Sequence, residues 1–117
     1  MFHLDMFDPA IQAARERVAR IMALRGYEVT WERGLPVVIW ADIPGYEGLY
    51  VPSQQLILLG RDDARDGSLA HELCHSLQPL SRVMMYAGEG HEDAWWADEG
   101  ERQARAVARD WRAGIGE

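Results

Sequence analysis

Ser68-Leu69-Ala70-His71-Glu72-Leu73-Cys74-His75 is the segment around which the rest of the chain can be interpreted. Its apolar residues recur at helical spacing and a proline follows, so we predict a helix over residues 68–77. His71 and His75 are four residues apart, which places both imidazoles on one face of that helix. This spacing suits two ligands of a tetrahedral zinc ion, and Glu72 is placed to act as a general base on water at the metal.

The sequence on either side predicts two further helices and a small sheet. Apolar residues at helical spacing predict a first helix over residues 9–25 and a last helix from about Glu92 or Trp96 to Arg112. Short runs of β-branched, aromatic and other apolar residues predict strands over 27–31, 35–41, 49–51 and 54–59. We therefore expect a single α+β domain over residues 1–117. Its small mixed or antiparallel sheet should pack against the N-terminal helix, the helix of the two histidines and the C-terminal helix.

Charge and composition argue against several classes of function. The chain has 19 acidic and 12 basic residues and a net charge of −7, whereas a nucleic-acid-binding domain normally carries a basic face. Its single cysteine, Cys74, excludes an intrachain disulfide and fits a reducing compartment. The sequence begins without the pattern of a signal peptide, and no run approaches the roughly 18–20 apolar residues of a membrane span. We expect a cytoplasmic protein that binds neither nucleic acid nor a membrane.

A catalytic zinc ion takes three protein ligands and keeps one position open, so a third ligand must lie elsewhere in the sequence. Glu101 is favoured because it shares a helix face with Ala104 and Ala108, whose small side chains let two helices approach closely. Glu99 lies on a second face and is the less favoured alternative. The downstream candidates are His91, Asp93, Asp98, Glu99 and Glu101.

Four side chains are candidates for a hydrogen bond to the oxyanion of a tetrahedral intermediate. His91 and Tyr86 rank first, because they lie in the segment between the two helices that carry the expected metal ligands. Tyr46 and Tyr50 are the other two candidates.

Three further residues carry expectations about packing and partners. The thiol of Cys74 should point away from the metal and pack as a small buried side chain, with a thiolate on zinc as the alternative. Trp95 and Trp96 are adjacent and cannot both face inward on one helix. We expect one of them to be exposed and to support a partner surface or a homo-oligomer.

Two segments carry a resemblance to a known family. Residues 55–59, a polar turn and residues 68–75 resemble the strand and the L-A-H-E-L-x-H helix of the ImmA/IrrE family of gluzincin-type metallopeptidases. Residues 101–108 are similar to the family's E-x-[EQ]-A-x-x-F-A helix, with Val107 in place of the usual aromatic residue. The resemblance covers about residues 54–110. It implies a zincin-like fold, one Zn²⁺ per chain, Glu101 as the third ligand and a specific regulatory protein as substrate.

The leading hypothesis is a zinc metallopeptidase that hydrolyses a peptide bond with zinc-activated water and Glu72 as general base. In such enzymes the strand before the active-site helix often lies along the cleft and pairs with extended substrate. That role would fall to the predicted strand over 54–59. The alternative is a non-catalytic zinc-binding domain that acts as a protein-interaction module or as an accessory protein of a phage or mobile element.

Overall fold

The computed structural model describes residues 9–40, 48–60, 67–79 and 99–117 of the chain. These residues form three α-helices and a three-stranded mixed sheet, so the predicted α+β class is confirmed. The elements in chain order are α1 (Pro9–Leu24), β1 (Val37–Trp40), β2 (Gly48–Val51), a short 3₁₀ turn (Pro52–Gln54), β3 (Leu56–Leu59), α2 (Ser68–Leu77) and α3 (Glu99–Arg112).

The sheet has the strand order β1-β3-β2, with β1 parallel and β2 antiparallel to the central strand β3. Successive side chains of β3 alternate between a buried and a partly exposed face, and Ile57 and Leu59 lie on the buried one. Because β3 pairs with a strand on each side, its backbone cannot accept a substrate. The expectation that this strand would pair with extended substrate is therefore wrong. Within the described residues, β2 is an edge strand, and it packs against α2.

The core lies between the sheet and the helices, with α2 in contact with α1, α3, β2 and β3. Gly67, which precedes α2, has a φ of 96° and accepts a hydrogen bond from the backbone of His71. A β-carbon at Gly67 would lie 3.0 Å from the carbonyl oxygen of Ala108. Glycine therefore permits both the backbone conformation and the close approach of α2 to α3. The fully buried aliphatic side chains of this core are Val18, Ile21, Met22, Ile57, Leu59, Leu73, Leu77 and Val107.

The strand predicted over residues 27–31 does not form. This segment runs as irregular backbone past the C-terminal end of α2. The amide of Thr30 donates to the carbonyl of Leu77 at 2.7 Å, and its hydroxyl donates to the same carbonyl at 3.1 Å. The carbonyls at the end of a helix have no partner within the helix. The segment satisfies one of them instead of joining the sheet, although its alternating sequence is typical of a strand.

Other boundaries differ from the predictions by one or two residues. The first helix ends at Leu24 because Gly26, with a φ of 75°, closes it with paired backbone hydrogen bonds from Gly26 to Ala23 and from Tyr27 to Met22. Strand β3 begins at Leu56, since Gln55 adopts a left-handed conformation with a φ of 49°. The helix predicted over 68–77 is confirmed. For the last helix, the part of the prediction before residue 99 lies outside the described residues.

None of the helices in the described part of the chain has the length and apolar character needed to cross a membrane.

Candidate metal centre

The structure brings His71, His75 and Glu101 together where α2 and α3 pack against each other. One carboxylate oxygen of Glu101 lies 2.8 Å from Nε2 of His71, and the other lies 3.0 Å from Nε2 of His75. The two imidazole rings meet edge to face, with their centroids 5.1 Å apart. Glu101 is 1% exposed. A buried carboxylate thus bridges the two histidines that sequence spacing placed on one face of the helix.

Protonation of the cluster follows from these contacts. Burial opposes ionisation of Glu101, but the hydrogen bonds and charges of His71 and His75 outweigh it and lower the pKa of Glu101 to about 2. Burial likewise opposes protonation of His75. The hydrogen bond with Glu101 and the charges of Glu72 and Glu101 outweigh that effect and raise the pKa of His75 to about 9. Without a metal, the cluster is therefore an ion pair between an ionised Glu101 and a protonated His75.

The three residues fit a divalent transition metal. Their ligand atoms lie within 4.8 Å of one another, and two imidazoles with one carboxylate form a donor set of zinc enzymes. Two tetrahedral ligands of zinc at about 2.0–2.1 Å from the ion lie about 3.3 Å from each other. The observed separations of 2.8 and 3.0 Å between nitrogen and oxygen need to open by only a few tenths of an ångström.

Glu72 lies next to this cluster, on the same helix, and is 6% exposed. Burial raises the pKa of Glu72, and the positive charges of His75 and His71 act in the opposite direction. Within the described residues, its buried Oε2 has no hydrogen-bond partner. A β-carbon at Gly48 of β2 would lie 3.2 Å from Cγ of Glu72, so the start of the edge strand passes directly over this side chain.

Glu99 and Glu101, the two alternatives for the third ligand, differ in their environment. Glu101 is buried between the histidines, whereas Glu99 is exposed at the first residue of α3. The part of the chain that the structure describes contains no other group of three or more metal-ligating side chains. The structure therefore places the favoured candidate, Glu101, at the cluster, as its helical phase predicted.

The remaining candidate residues are either outside the described ranges or engaged elsewhere. The hydroxyl of Tyr50 accepts a hydrogen bond from Arg33 at 3.1 Å and donates to Gln55, so its hydrogen is already used. Cys74 is fully buried, and burial raises the pKa of its thiol, which packs as a small apolar side chain. The other sequence candidates, Tyr46, Tyr86, His91, Asp93, Trp95, Trp96 and Asp98, lie outside the described residues.

Sequence reasoning missed Gln78, which is fully buried and lies 2.8 Å from Nδ1 of His75. It also missed Arg33, whose guanidinium donates to the carbonyls of His75 and Gln78. A signal for Gln78 was present, since a polar residue three positions after the second histidine can turn back toward it at a helix end. No local signal marks Arg33, because its contact joins residues more than forty positions apart.

Comparison with models of protein families, with curated proteins and with solved structures finds no significant match to this chain. The interpretation of the site therefore rests on the geometry of its own residues.

Proposed function

We propose that the protein is a zinc-dependent peptidase of the gluzincin type. The observation that carries this proposal is the convergence of the buried Glu101 carboxylate on Nε2 of both His71 and His75. Glu72 stands beside the three ligands, which is where a general base for hydrolysis has to be. The order of a small sheet, a histidine-bearing helix and a glutamate-bearing helix is what a zincin-like domain of the ImmA/IrrE type would require.

His71, His75 and Glu101 would hold the metal. When bound, zinc supplies a Lewis acid that lowers the pKa of water at its open position to about 7. Within the described residues the cluster offers three protein ligands. A structural zinc site normally has four. A catalytic site takes three protein ligands and keeps one position open, and these three residues match that requirement.

Glu72 would accept the proton of the attacking water and deliver it to the leaving amine. Burial supports this role because it raises the pKa of the carboxyl, which makes the carboxylate a stronger base. Its unpartnered Oε2 supports it as well, since that oxygen is not occupied by a structural hydrogen bond from a described residue.

The edge strand β2 would bind the backbone of the substrate. It pairs with β3 on one side only within the described residues, and its first residue, Gly48, lies against Glu72. An extended peptide can add to such an edge through main-chain hydrogen bonds. A peptide bound there would run past the general base. The absence of a side chain at Gly48 allows a backbone to approach closely. We propose a protein with an extended, exposed segment as the substrate class.

The test is a comparison of the wild-type protein with Glu72→Gln, using metal analysis and cleavage of a library of extended peptides. We expect about one zinc per chain in both proteins, and a loss of cleavage of about 10²–10⁴-fold or more in the variant. Glu99→Gln is the matched control, because it changes an exposed carboxylate of α3, and it should keep both zinc and cleavage. Cleavage that survives Glu72→Gln would contradict the catalytic assignment. Zinc without cleavage in all three proteins, the wild type included, would favour the non-catalytic alternative.

A further inference from the structure

Gln78 follows α2 directly, and both ends of its side-chain amide are engaged. Its Nε2 donates to the carbonyl oxygen of Gly100 at 2.7 Å, and its Oε1 lies 2.8 Å from Nδ1 of His75. Gly100 is the residue immediately before Glu101. One buried amide therefore contacts a ring of the cluster on α2 and the backbone of α3 beside the third ligand.

The contact with Gly100 fixes the orientation of the amide. A carbonyl oxygen only accepts hydrogen bonds, so the group that faces Gly100 must be the NH₂ of Gln78. The oxygen of the amide is then the atom that faces His75. Because that oxygen only accepts, Nδ1 of His75 must donate. This leaves Nε2 as the ring nitrogen that points at Glu101, at 3.0 Å.

The backbone around Gln78 is held in place as well. The single hydroxyl hydrogen of Thr30 is shared between the carbonyls of Leu77 and Gln78, at 3.1 and 3.2 Å, and the guanidinium of Arg33 also donates to the carbonyl of Gln78. Arg33 also donates to the carbonyl of His75 at 3.3 Å. Thr30, in the segment that was expected to be a strand, and the nearby Arg33 thus fix the residue from which the amide reaches back to His75.

We propose that Gln78 is a positioning residue of the metal centre. It keeps the proton of His75 on Nδ1, presents Nε2 as the ligand atom, and ties the ring to the residue before Glu101. The proposal rests on the zinc site argued above and adds the residue that sets the orientation of one of its ligands. Partners of this kind, which orient a metal-binding imidazole through its other nitrogen, typically change metal affinity by about 10–100-fold when removed.

The test combines zinc affinity with nitrogen-15 spectra of the histidine rings, recorded with and without zinc. In the wild-type protein we expect a proton on Nδ1 of His75 in both states, and a change at Nε2 when zinc is added. Gln78→Leu should lower zinc affinity by about 10–100-fold and speed the exchange of the Nδ1 proton with water. Gln78→Glu keeps an acceptor for His75 but loses the donor to Gly100, so it should keep the Nδ1 proton signal.

Gln103→Leu is the matched control, since Gln103 contacts Nε2 of Gln78 only at 3.5 Å. It should leave both readouts unchanged. Zinc bound through Nδ1 of His75, or a Gln78→Leu protein that behaves like the control, would overturn the proposal. Should the wild-type protein bind no zinc, the zinc site is wrong. The Nδ1 proton in the zinc-free proteins, recorded at a pH at which the ring of His75 carries only one proton, then still decides the role of Gln78: its loss in Gln78→Leu supports that role, and its persistence overturns it. If Gln78→Leu does not fold, the spectra of the wild type and Gln78→Glu are compared instead. A proton on Nδ1 of His75 in both proteins supports the proposal, and its absence in the wild type overturns it.

Discussion

The two ends of α3 each carry an acidic side chain in an ion pair, but the surroundings of the two pairs differ. At the N-terminal end, Glu101 is 1% exposed and contacts two imidazoles from α2. At the C-terminal end, Asp110 forms two hydrogen bonds, of 2.6 and 2.8 Å, with the exposed guanidinium of Arg25, the residue after α1. The first pair is shielded from water, and the second is largely solvated.

The difference between the two pairs indicates which of them we expect to take part in metal binding. A buried carboxylate is costly unless partners compensate it, and a fold optimised for stability alone does as well with apolar residues there. An exposed pair between Arg and Asp costs little and contributes about 0–1 kcal/mol. Glu101 is therefore expected to matter for metal binding, and Asp110 only for the modest stability of the contact between α1 and α3.

The largest effect is expected from Glu101→Gln. The substitution keeps the shape of the side chain but removes the charged ligand, so zinc affinity should fall by about 100-fold or more. Titration against a chromophoric chelator measures the loss. Glu99→Gln, in the same turn of α3 but exposed, should bind zinc like the wild type. Equal losses of zinc affinity in the two variants would show that the buried Glu101 contributes no more to zinc binding than the exposed Glu99.

The next effect is a pH dependence of zinc binding. The pKa of His75 is raised to about 9 in the metal-free protein, so zinc has to displace a proton from it at neutral pH. Zinc affinity should rise by about tenfold per pH unit between pH 6 and 8 and level off above the pKa of His75. Glu101, with a pKa of about 2, stays ionised throughout and adds nothing. Calorimetric titration in buffers of different pH measures both the slope and the proton released.

The same shift predicts how the stability of the metal-free protein depends on pH. A pKa of His75 that is higher in the folded than in the unfolded state stabilises the fold below about pH 6.5, and this contribution is lost as pH rises through about 9. The metal-free protein should therefore be less stable at pH 10 than at pH 6. Urea denaturation at the two values tests the sign. A metal-free protein that gains stability over this range would show that His75 is not paired with Glu101.

A smaller effect is expected from Gly48→Ala. The new β-carbon would lie 3.0 Å from Cδ2 of Leu59 and 3.2 Å from Cγ of Glu72, so Glu72 would have to move. We expect peptide cleavage to fall by about tenfold with unchanged zinc affinity, because the proposed general base shifts while the proposed ligands do not. Steady-state cleavage and chelator titration on one sample separate the two quantities. A variant that loses zinc instead would place Gly48 nearer the ligands than the structure does.

The smallest effect is expected at the exposed end of α3. Asp110→Asn should cost about 1 kcal/mol or less of unfolding free energy and leave zinc affinity unchanged. The hydrogen bond from Arg25 holds the pKa of Asp110 below its usual range. The contribution of the pair is therefore present at neutral pH and is lost as the carboxylate is protonated in acid. Urea denaturation of the wild type and Asp110→Asn at pH 7 and in acid measures this contribution. A loss of more than about 2 kcal/mol of unfolding free energy at pH 7 would contradict the expected difference between the two ends of α3.

Local spacing in the sequence predicted much of the fold and the centre of the site. The pair His71 and His75 follows from the period of a helix, and the position of Glu101 follows from the phase of a second helix. The α+β class and the helix over 68–77 are confirmed for the same reason, because periodicity is a property of consecutive residues.

What the sequence did not show depends on contacts between distant segments. The segment 27–31 has the alternation of a strand, but Thr30 donates its backbone hydrogen bond to the end of α2, which no local pattern reveals. The central place of β3 depends on two pairing partners, one of them parallel. Gln78 acquires its role only when Gly100 lies beside it, and those two residues are 22 positions apart.

The most direct test of the metal centre is a crystal structure grown with zinc, using anomalous diffraction recorded on both sides of the zinc absorption edge. We predict one anomalous peak per chain between Nε2 of His71, Nε2 of His75 and the carboxylate of Glu101, with Glu72 beside it but not bound to it. A peak at another set of residues, or no peak between these three, would contradict the account.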